Sequence, residues 1–298
     1  MRDTTVAFIG IGAMGTGIVN SLLRHGFDLR VFDTDPNRTR AIGNLENVVV
    51  ANSAAEAAEG ADIAAAILPL PESLREAVSG SNGLIHGLQP GSLFVQMSSV
   101  DSVTTLDIAA CVREIDVEML DSPVLRGPDE AERGDLAVLV AGDPVSVDRA
   151  RPFHEAISHK IIYAGELGQA SSLKAINNTL NLTIKAAAAE ALSAGAASGH
   201  QLGAMLEVFE QTAAWNRHLD LVRAAGDAYE GFEVTMRTEL VIKDMRHGIL
   251  QAAQVHSPSP VLAAAYNSLC QAANLIPAES LEDPFLKSLS QASGCKIE

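Results

Sequence analysis

Apolar positions along the chain change their period near residue 165. Before it, short apolar and β-branched runs alternate with stretches of helical spacing. Val6–Ile9 is the first run; Ile18, Val19, Leu22 and Leu23 then repeat as on a helix, and Leu29–Phe32 is the next run. Further runs stand at Val48–Ala51, Asp62–Leu68, Ser92–Gln96, Val117–Leu120, Leu136–Ala141 and Lys160–Tyr163. Ser53 is placed to cap a short helix through Glu59, and Pro71 to open another. Strands alternating with helices predict a doubly wound parallel sheet.

The strand signal stops at the glycine-rich connection Ala164–Gly168. From Gln169 to about Ser198 the chain is Ala-rich, with Gly199 as its terminator. A helix of that length runs about 45 Å at the usual rise per residue. Helices are predicted again over Leu202–Gln211, Trp215–Tyr229, Glu239–Val255 and Pro260–Asn274. The pattern divides the chain into an α/β domain, residues 1–163, and an all-α domain, residues 164–298, entered through the long helix. On that helix Leu173, Ile176, Leu180 and Ile184 form a stripe expected to be buried. Lys174, Asn177, Asn178 and Asn181 share a neighbouring face. From the helix alone they read either as a catalytic lysine with orienting amides or as a solvated polar face.

Between the first strand and its helix lies Gly10-Ile11-Gly12-Ala13-Met14-Gly15, and Asp33 closes the second strand, 23 positions after Gly10. Gly10 permits the tight turn, Gly12 lets backbone approach a pyrophosphate, and Gly15 lets helix and strand pack closely. The helix N-terminus offers unpaired N–H groups and a positive dipole end to phosphates. Asp33 suits the adenosine ribose hydroxyls and repels a 2′-phosphate, so the Rossmann motif predicts NAD over NADP. Arg38 and Arg40 lie nearby and could soften that preference. Leu68-Pro69, Ser98-Ser99 and Asp121-Ser122-Pro123 fall at strand ends, where ligands of such sheets gather.

Composition narrows the partners. The formal net charge is −16, which argues against nucleic acid and anionic membranes. Cys111, Cys270 and Cys295 are scattered, fitting neither a disulfide framework nor a zinc site, and no other metal-ligand cluster is evident. No apolar run reaches the length of a membrane span, and the start M-R-D-T-T-V-A-F-I-G lacks a signal-peptide core. The expectation is a cytoplasmic protein without a metal.

Four motifs in this order resemble the β-hydroxyacid dehydrogenase family, which includes 3-hydroxyisobutyrate dehydrogenase, tartronate semialdehyde reductase and relatives of 6-phosphogluconate dehydrogenase. They are G-I-G-A-M-G at Gly10–Gly15, D-S-P-V at Asp121–Val124, G-x-x-x-x-x-K-x-x-N-N at Gly168–Asn178, and K-D-M at Lys243–Met245. The resemblance implies hydride transfer between NAD(H) and a small anionic 3-hydroxy acid or its semialdehyde. It implies Lys174 as general acid and base, with Asn178 holding substrate beside it. It further implies cofactor contacts from Gly10, Gly12, Ala13, Met14, Gly15, Asp33, Leu68, Pro69, Ser99 and Lys243, and assembly into dimers or tetramers through the helical domains.

One segment departs from the family. The usual P-V-S-G-G is Pro123-Val124-Leu125-Arg126-Gly127. Candidate substrate contacts are therefore Ser122, Leu125, Arg126, Gly127 and Asn177. Arg126 offers a planar charged fork for carboxylate, sulfonate or phosphate. A sulfolactaldehyde reductase is similar in placing an Arg after P-V-x, so Arg126 is either such an anion clamp or the partner of Asp129, Glu130 or Glu132. An NAD(H)-binding sensor without turnover is the alternative from another class.

Overall fold

The computed structural model describes residues 4–225, 237–275 and 283–285. The chain divides into two compact units, Met1–Ala175 and Ile176–Glu298.

The first unit is built on one sheet. Its strands are β1 (Thr5–Ile9), β2 (Asp28–Phe32), β3 (Val48–Val50), β4 (Ile63–Ala66), β5 (Leu93–Gln96), β6 (Glu118–Asp121), β7 (Val124–Leu125), β8 (Leu136–Ala141) and β9 (Ser158–Gly165). Its helices are α1 (Ala13–Arg24), α2 (Pro36–Arg40), α3 (Ala54–Ala58), α4 (Pro71–Ser79), α5 (Ser102–Arg113), α6 (Pro128–Arg133) and α7 (Pro144–Ile157). Burial follows the pleat of β1. Val6 and Phe8 join the core under α1 and α7, while Ala7 and Ile9 join the core under α3, α4 and α5. Both faces are covered, as a parallel sheet requires. Ser53 accepts the N–H of Glu56 and so caps α3, and Pro71 opens α4.

The sheet runs β3-β2-β1-β4-β5-β6-β8-β7, with β9 on β8. Strands β1 to β6 are parallel, but β8 is antiparallel to β6 and β7. The expected doubly wound sheet is predominantly parallel and turns antiparallel at this edge, for a length reason. Only residues 126–135 separate β7 from β8, too few for a parallel crossover, whereas the 14-residue α7 lets β9 return parallel to β8. Asp121 pairs with Ala141, Val124 with Val138 and Leu125 with Ala137, all in one register. So D-S-P-V is a single ladder that Pro123, lacking an N–H, interrupts.

Helix α8 (Gln169–Ala197) leads into the second unit, with α9 (Leu202–Glu210), α10 (Arg217–Ala225), α11 (Thr238–Gln254) and α12 (Pro260–Ala273). Gly199, at φ +85°, ends α8. The remainder of the expected Trp215–Tyr229 helix, and Cys295, lie outside the described residues. Leu182, Leu192, Leu206, Leu219, Val241, Met245 and Leu269 form the second unit's core.

The expected buried stripe of α8 is wrong. Leu173, Ile176, Leu180 and Ile184 are all exposed, Leu180 to 54%. The buried residues are Ala170, Ser171, Ala175, Thr179, Leu182, Thr183, Ala186, Ala189, Leu192 and Ser193. Mostly small side chains let neighbouring backbone come close, so the larger apolar residues were left to a different face.

Candidate active site

The glycine turn has the shape of a phosphate cradle. Gly10 sits at φ +97°, and a Cβ there would strike the Ile67 carbonyl. A Cβ on Gly15 would strike the Gly10 carbonyl. Gly12, the N-cap of α1, differs: the nearest atom to a Cβ is Arg38 Nη1 at 3.9 Å. The space over Gly12 is open to a ligand, and the first N–H groups of α1, from Ala13, Met14 and Gly15, have no partner within the helix. These residues fit a dinucleotide pyrophosphate.

Asp33 stands at the end of β2 with its side chain 4% exposed. Its Oδ2 accepts the Ile11 N–H at 2.7 Å and its Oδ1 the Asp35 N–H at 2.8 Å. Arg38 Nη1 lies 3.4 Å from Oδ2. Asp33 thus braces the glycine turn as well as bordering it. At the ends of β4 and β5, Leu68 donates its N–H to Ser98 Oγ at 2.9 Å. Pro69 is exposed there and Ser99 half-buried. Ser98, fully buried, escaped the sequence reading as the tie between these two loops.

The Asp121–Val124 ladder carries two buried contacts. Asp121 Oδ2 accepts the Ser171 N–H at 2.7 Å, and Oδ1 accepts the Ser171 hydroxyl at 2.6 Å. Burial pushes the Asp121 carboxyl up to about 6, against the lowering effect of Ser171 and Gly168. Ser122, a candidate substrate contact, is fully buried with its hydroxyl 3.1 Å from His154 Nε2 on α7. The Ser122 side chain so placed faces the protein interior, and its N–H is donated to the Gln96 carbonyl at 2.7 Å. Burial, then the charge of Arg151, pushes His154 down to about 4. Asp121 and His154 carried no local signal beyond the D-S-P-V motif and a lone histidine.

Arg126 is exposed and held in the left-handed region at φ +82°. Its Nη1 pairs with Asp135 Oδ2 at 2.6 Å, and His159 Nδ1 lies 3.2 Å from Asp135 Oδ1. The partner is Asp135, none of the three acids expected from sequence. Leu125 packs toward Leu139, Ala141 and Ala170. Gly127 donates its N–H to Glu130 Oε2 at 3.1 Å, which lowers the Glu130 pKa.

In the second unit Asn178 donates to Asp244 Oδ2 at 2.7 Å, and Asn177 donates to Asn178 Oδ1 at 3.3 Å. Lys243 Nζ lies 3.3 Å from Asp244 Oδ1. Asp244 is the middle letter of K-D-M, and no local signal in the sequence points to its bond with Asn178. His218 Nε2 contacts both the carbonyl and side-chain oxygen of Asn181, at 3.0 and 3.1 Å. Lys185 pairs with Asp283 at 2.6 Å. Trp215 donates its indole N–H to Asp220 at 3.0 Å and is stacked by Arg223. Among the described residues no group of acids, histidines and cysteines is arranged for a metal, and no helix is long and apolar enough to cross a membrane.

Two family models cover nearly the whole chain. Residues 5–165 match the NAD binding domain of 6-phosphogluconate dehydrogenase. Residues 168–280 match the NAD-binding domain of NADP-dependent 3-hydroxyisobutyrate dehydrogenase. The chain belongs to the β-hydroxyacid dehydrogenase family. It is accordingly an NAD(P)-binding oxidoreductase acting on CH–OH groups. It is 31% identical to 3-sulfolactaldehyde reductase of Escherichia coli, over 90% of this chain and 89% of that one. It is 30% identical to NAD-dependent L-serine dehydrogenase of Pseudomonas aeruginosa, over 85% and 86%. The solved 3-hydroxyisobutyrate dehydrogenase of Mycobacterium tuberculosis with L-serine superposes with a TM-score of 0.84 at 25% identity, over 97% of this chain and 99% of that one.

Proposed function

We propose that this family member interconverts a small anionic 3-hydroxy acid and its semialdehyde with NAD(H), using Lys174 as general acid and base. The observation that carries the reading is the fastening of Ser171 to Asp121. Asp121 closes β6, at the sheet edge where doubly wound folds gather ligands, and Lys174 follows Ser171 by one helical turn. The glycine cradle belongs to the same unit.

A bound dinucleotide supplies or accepts the hydride. The protein's part is proton management and orientation. In reduction, an ammonium at Lys174 donates to the carbonyl oxygen as negative charge builds there. In oxidation, the neutral amine takes the alcohol proton. A free lysine titrates near 10.4, so the second role needs the amine lowered by burial or a nearby cation. Asn178, its amide fixed by Asp244, is read as an orienting group, and Lys243 as a cofactor contact from the helical domain. The carboxylate at Asp33 favours NAD over NADP.

The relatives named for L-serine and 3-hydroxyisobutyrate support a substrate bearing a carboxylate and a C3 alcohol. The relative named for 3-sulfolactaldehyde keeps a sulfonate in view, but Arg126 would first have to leave Asp135. Residues 1–163 are assigned to the cofactor and 164–298 to substrate and self-association. The exposed stripe Leu173, Ile176, Leu180, Ile184 supports a homodimer or homotetramer that covers it, and the cytoplasm is the proposed location. The test is absorbance at the NADH band against serine, 3-hydroxyisobutyrate, tartronate semialdehyde and sulfolactaldehyde. Turnover of at least one is expected, and none with any of them would contradict the reading.

A further inference from the structure

We infer that Asp121 is a positioning residue for Lys174: its carboxylate, reaching over from the end of β6, fixes the first turn of α8 and with it the place of the lysine amine. The inference rests on the acid–base reading of Lys174 given above.

The first N–H groups of a helix lack partners within it, and a side chain just before the helix commonly accepts them. Ahead of α8 stands Glu166-Leu167-Gly168, with no Ser, Thr, Asp or Asn to serve. Asp121, 50 residues earlier, takes that place, accepting both the N–H and the hydroxyl of Ser171. The Gly168 backbone also lowers the Asp121 carboxyl's pKa, the weakest of the influences on it. Gly168 is at φ +87°, a conformation that favours glycine, which gives a physical reason for glycine six positions before Lys174. Because the Ser171 hydroxyl donates to Asp121, it accepts from Thr105 of α5, 2.8 Å away. Ala170, between Gly168 and Ser171, is buried against Leu139 and Ala141 of β8. One residue of α8 is therefore gripped from a strand and from a helix.

Ser171 and Lys174 lie about 4.5 Å apart along the helix axis. A shift of the first turn passes to the lysine Cα almost undiminished. A buried carboxylate is also a costly anchor, since burial opposes its ionised form, and an apolar contact would close the helix end more cheaply. What an ionised carboxylate adds is simultaneous acceptance of two donors from one helix end and an offset to that end's positive dipole. An amide in its place would turn an NH₂ toward one of those donors.

The test compares Asp121→Asn and Ser171→Ala with Lys174→Ala, using the best substrate of the panel above. Each kcat is normalised to NADH sites counted by fluorescence titration. Asp121→Asn is expected to lower kcat per site roughly 10- to 100-fold, the scale of a misplacement of order 1 Å, and Ser171→Ala less. The KM for NADH should stay within about twofold. Lys174→Ala inactive, with both other variants at wild-type kcat per site, would overturn the inference alone. So would activity and NADH sites falling together at constant kcat per site, the mark of a merely structural role. Full turnover in Lys174→Ala would instead overturn the lysine reading, and this inference with it. Should Asp121→Asn not fold, Ser171→Ala decides, because it keeps the amide bond to Asp121.

Discussion

Asn178 donates its side-chain N–H to the buried carboxylate of Asp244 at 2.7 Å, which ties the N-N motif of α8 to the K-D-M motif of α11. Lys243 shares that carboxylate, 3.3 Å from its other oxygen. Removing the carboxylate leaves a half-buried amide and a mostly buried ammonium with one polar contact fewer each. Asp244→Ala is expected to cost about 2–4 kcal/mol of unfolding free energy. Asp244→Asn keeps an acceptor for Asn178 and should cost less. Urea unfolding checks both, and losses below about 0.5 kcal/mol, typical of surface sites, would contradict the coupling.

Asp121 and His154 give stability two opposed pH dependences. The Asp121 carboxyl, raised to about 6 from 3.8, contributes most below its unfolded value, and that contribution is lost as pH rises through 6. His154, lowered to about 4 from 6.5, contributes above 6.5, and its contribution is lost as pH falls through 4. Between those limits the two slopes oppose each other. Asp121→Asn removes one of them. Its stability relative to wild type should fall by about 2 kcal/mol as pH drops from about 7 to about 4. A pH-independent gap between the two unfolding curves would show that Asp121 does not titrate as described.

Arg126 sits in a left-handed conformation that only glycine adopts without cost, at the first of the positions where the family usually has glycine. Arg126→Gly loses an exposed ion pair worth at most about 1 kcal/mol and gains back the strain. Arg126→Ala loses the pair and keeps the strain. Arg126→Gly should therefore be the more stable of the two by about 1 kcal/mol. Equal stabilities would mean the backbone carries no such strain. On activity, KM for a carboxylate substrate should change little in either variant if Asp135 holds the guanidinium throughout turnover.

The exposed stripe makes its own prediction. Leu180→Glu places a charge at its centre and should shift the protein to a smaller species in sedimentation velocity, with the isolated fold intact by circular dichroism. An unchanged sedimentation coefficient would leave the stripe without a role in assembly.

Local chemistry made the first unit legible. The Leu136–Ala141 strand, the glycine turn, the Ser53 cap and the start of α8 at Gln169 follow from residue type and spacing alone. Long-range packing hid the rest. Hydrophobic size misassigned the buried face of α8, because Ala175, Ala186 and Ala189 pack there instead of Leu180 and Ile184. The reversal of β8 follows from a ten-residue spacing after β7, shorter than a parallel crossover needs. Asp121 with Ser171, and Arg126 with Asp135, join residues 50 and 9 positions apart. No periodicity points to pairs of that kind. The motif letters were visible; what each side chain bonds to was not.

The central claim is that the Lys174 amine moves the proton. The most direct measurement is kcat of Lys174→Ala per NADH site. The account predicts a loss of at least about a hundredfold, the usual scale for a general acid–base group, with NADH still bound. Near wild-type turnover in that variant would contradict it.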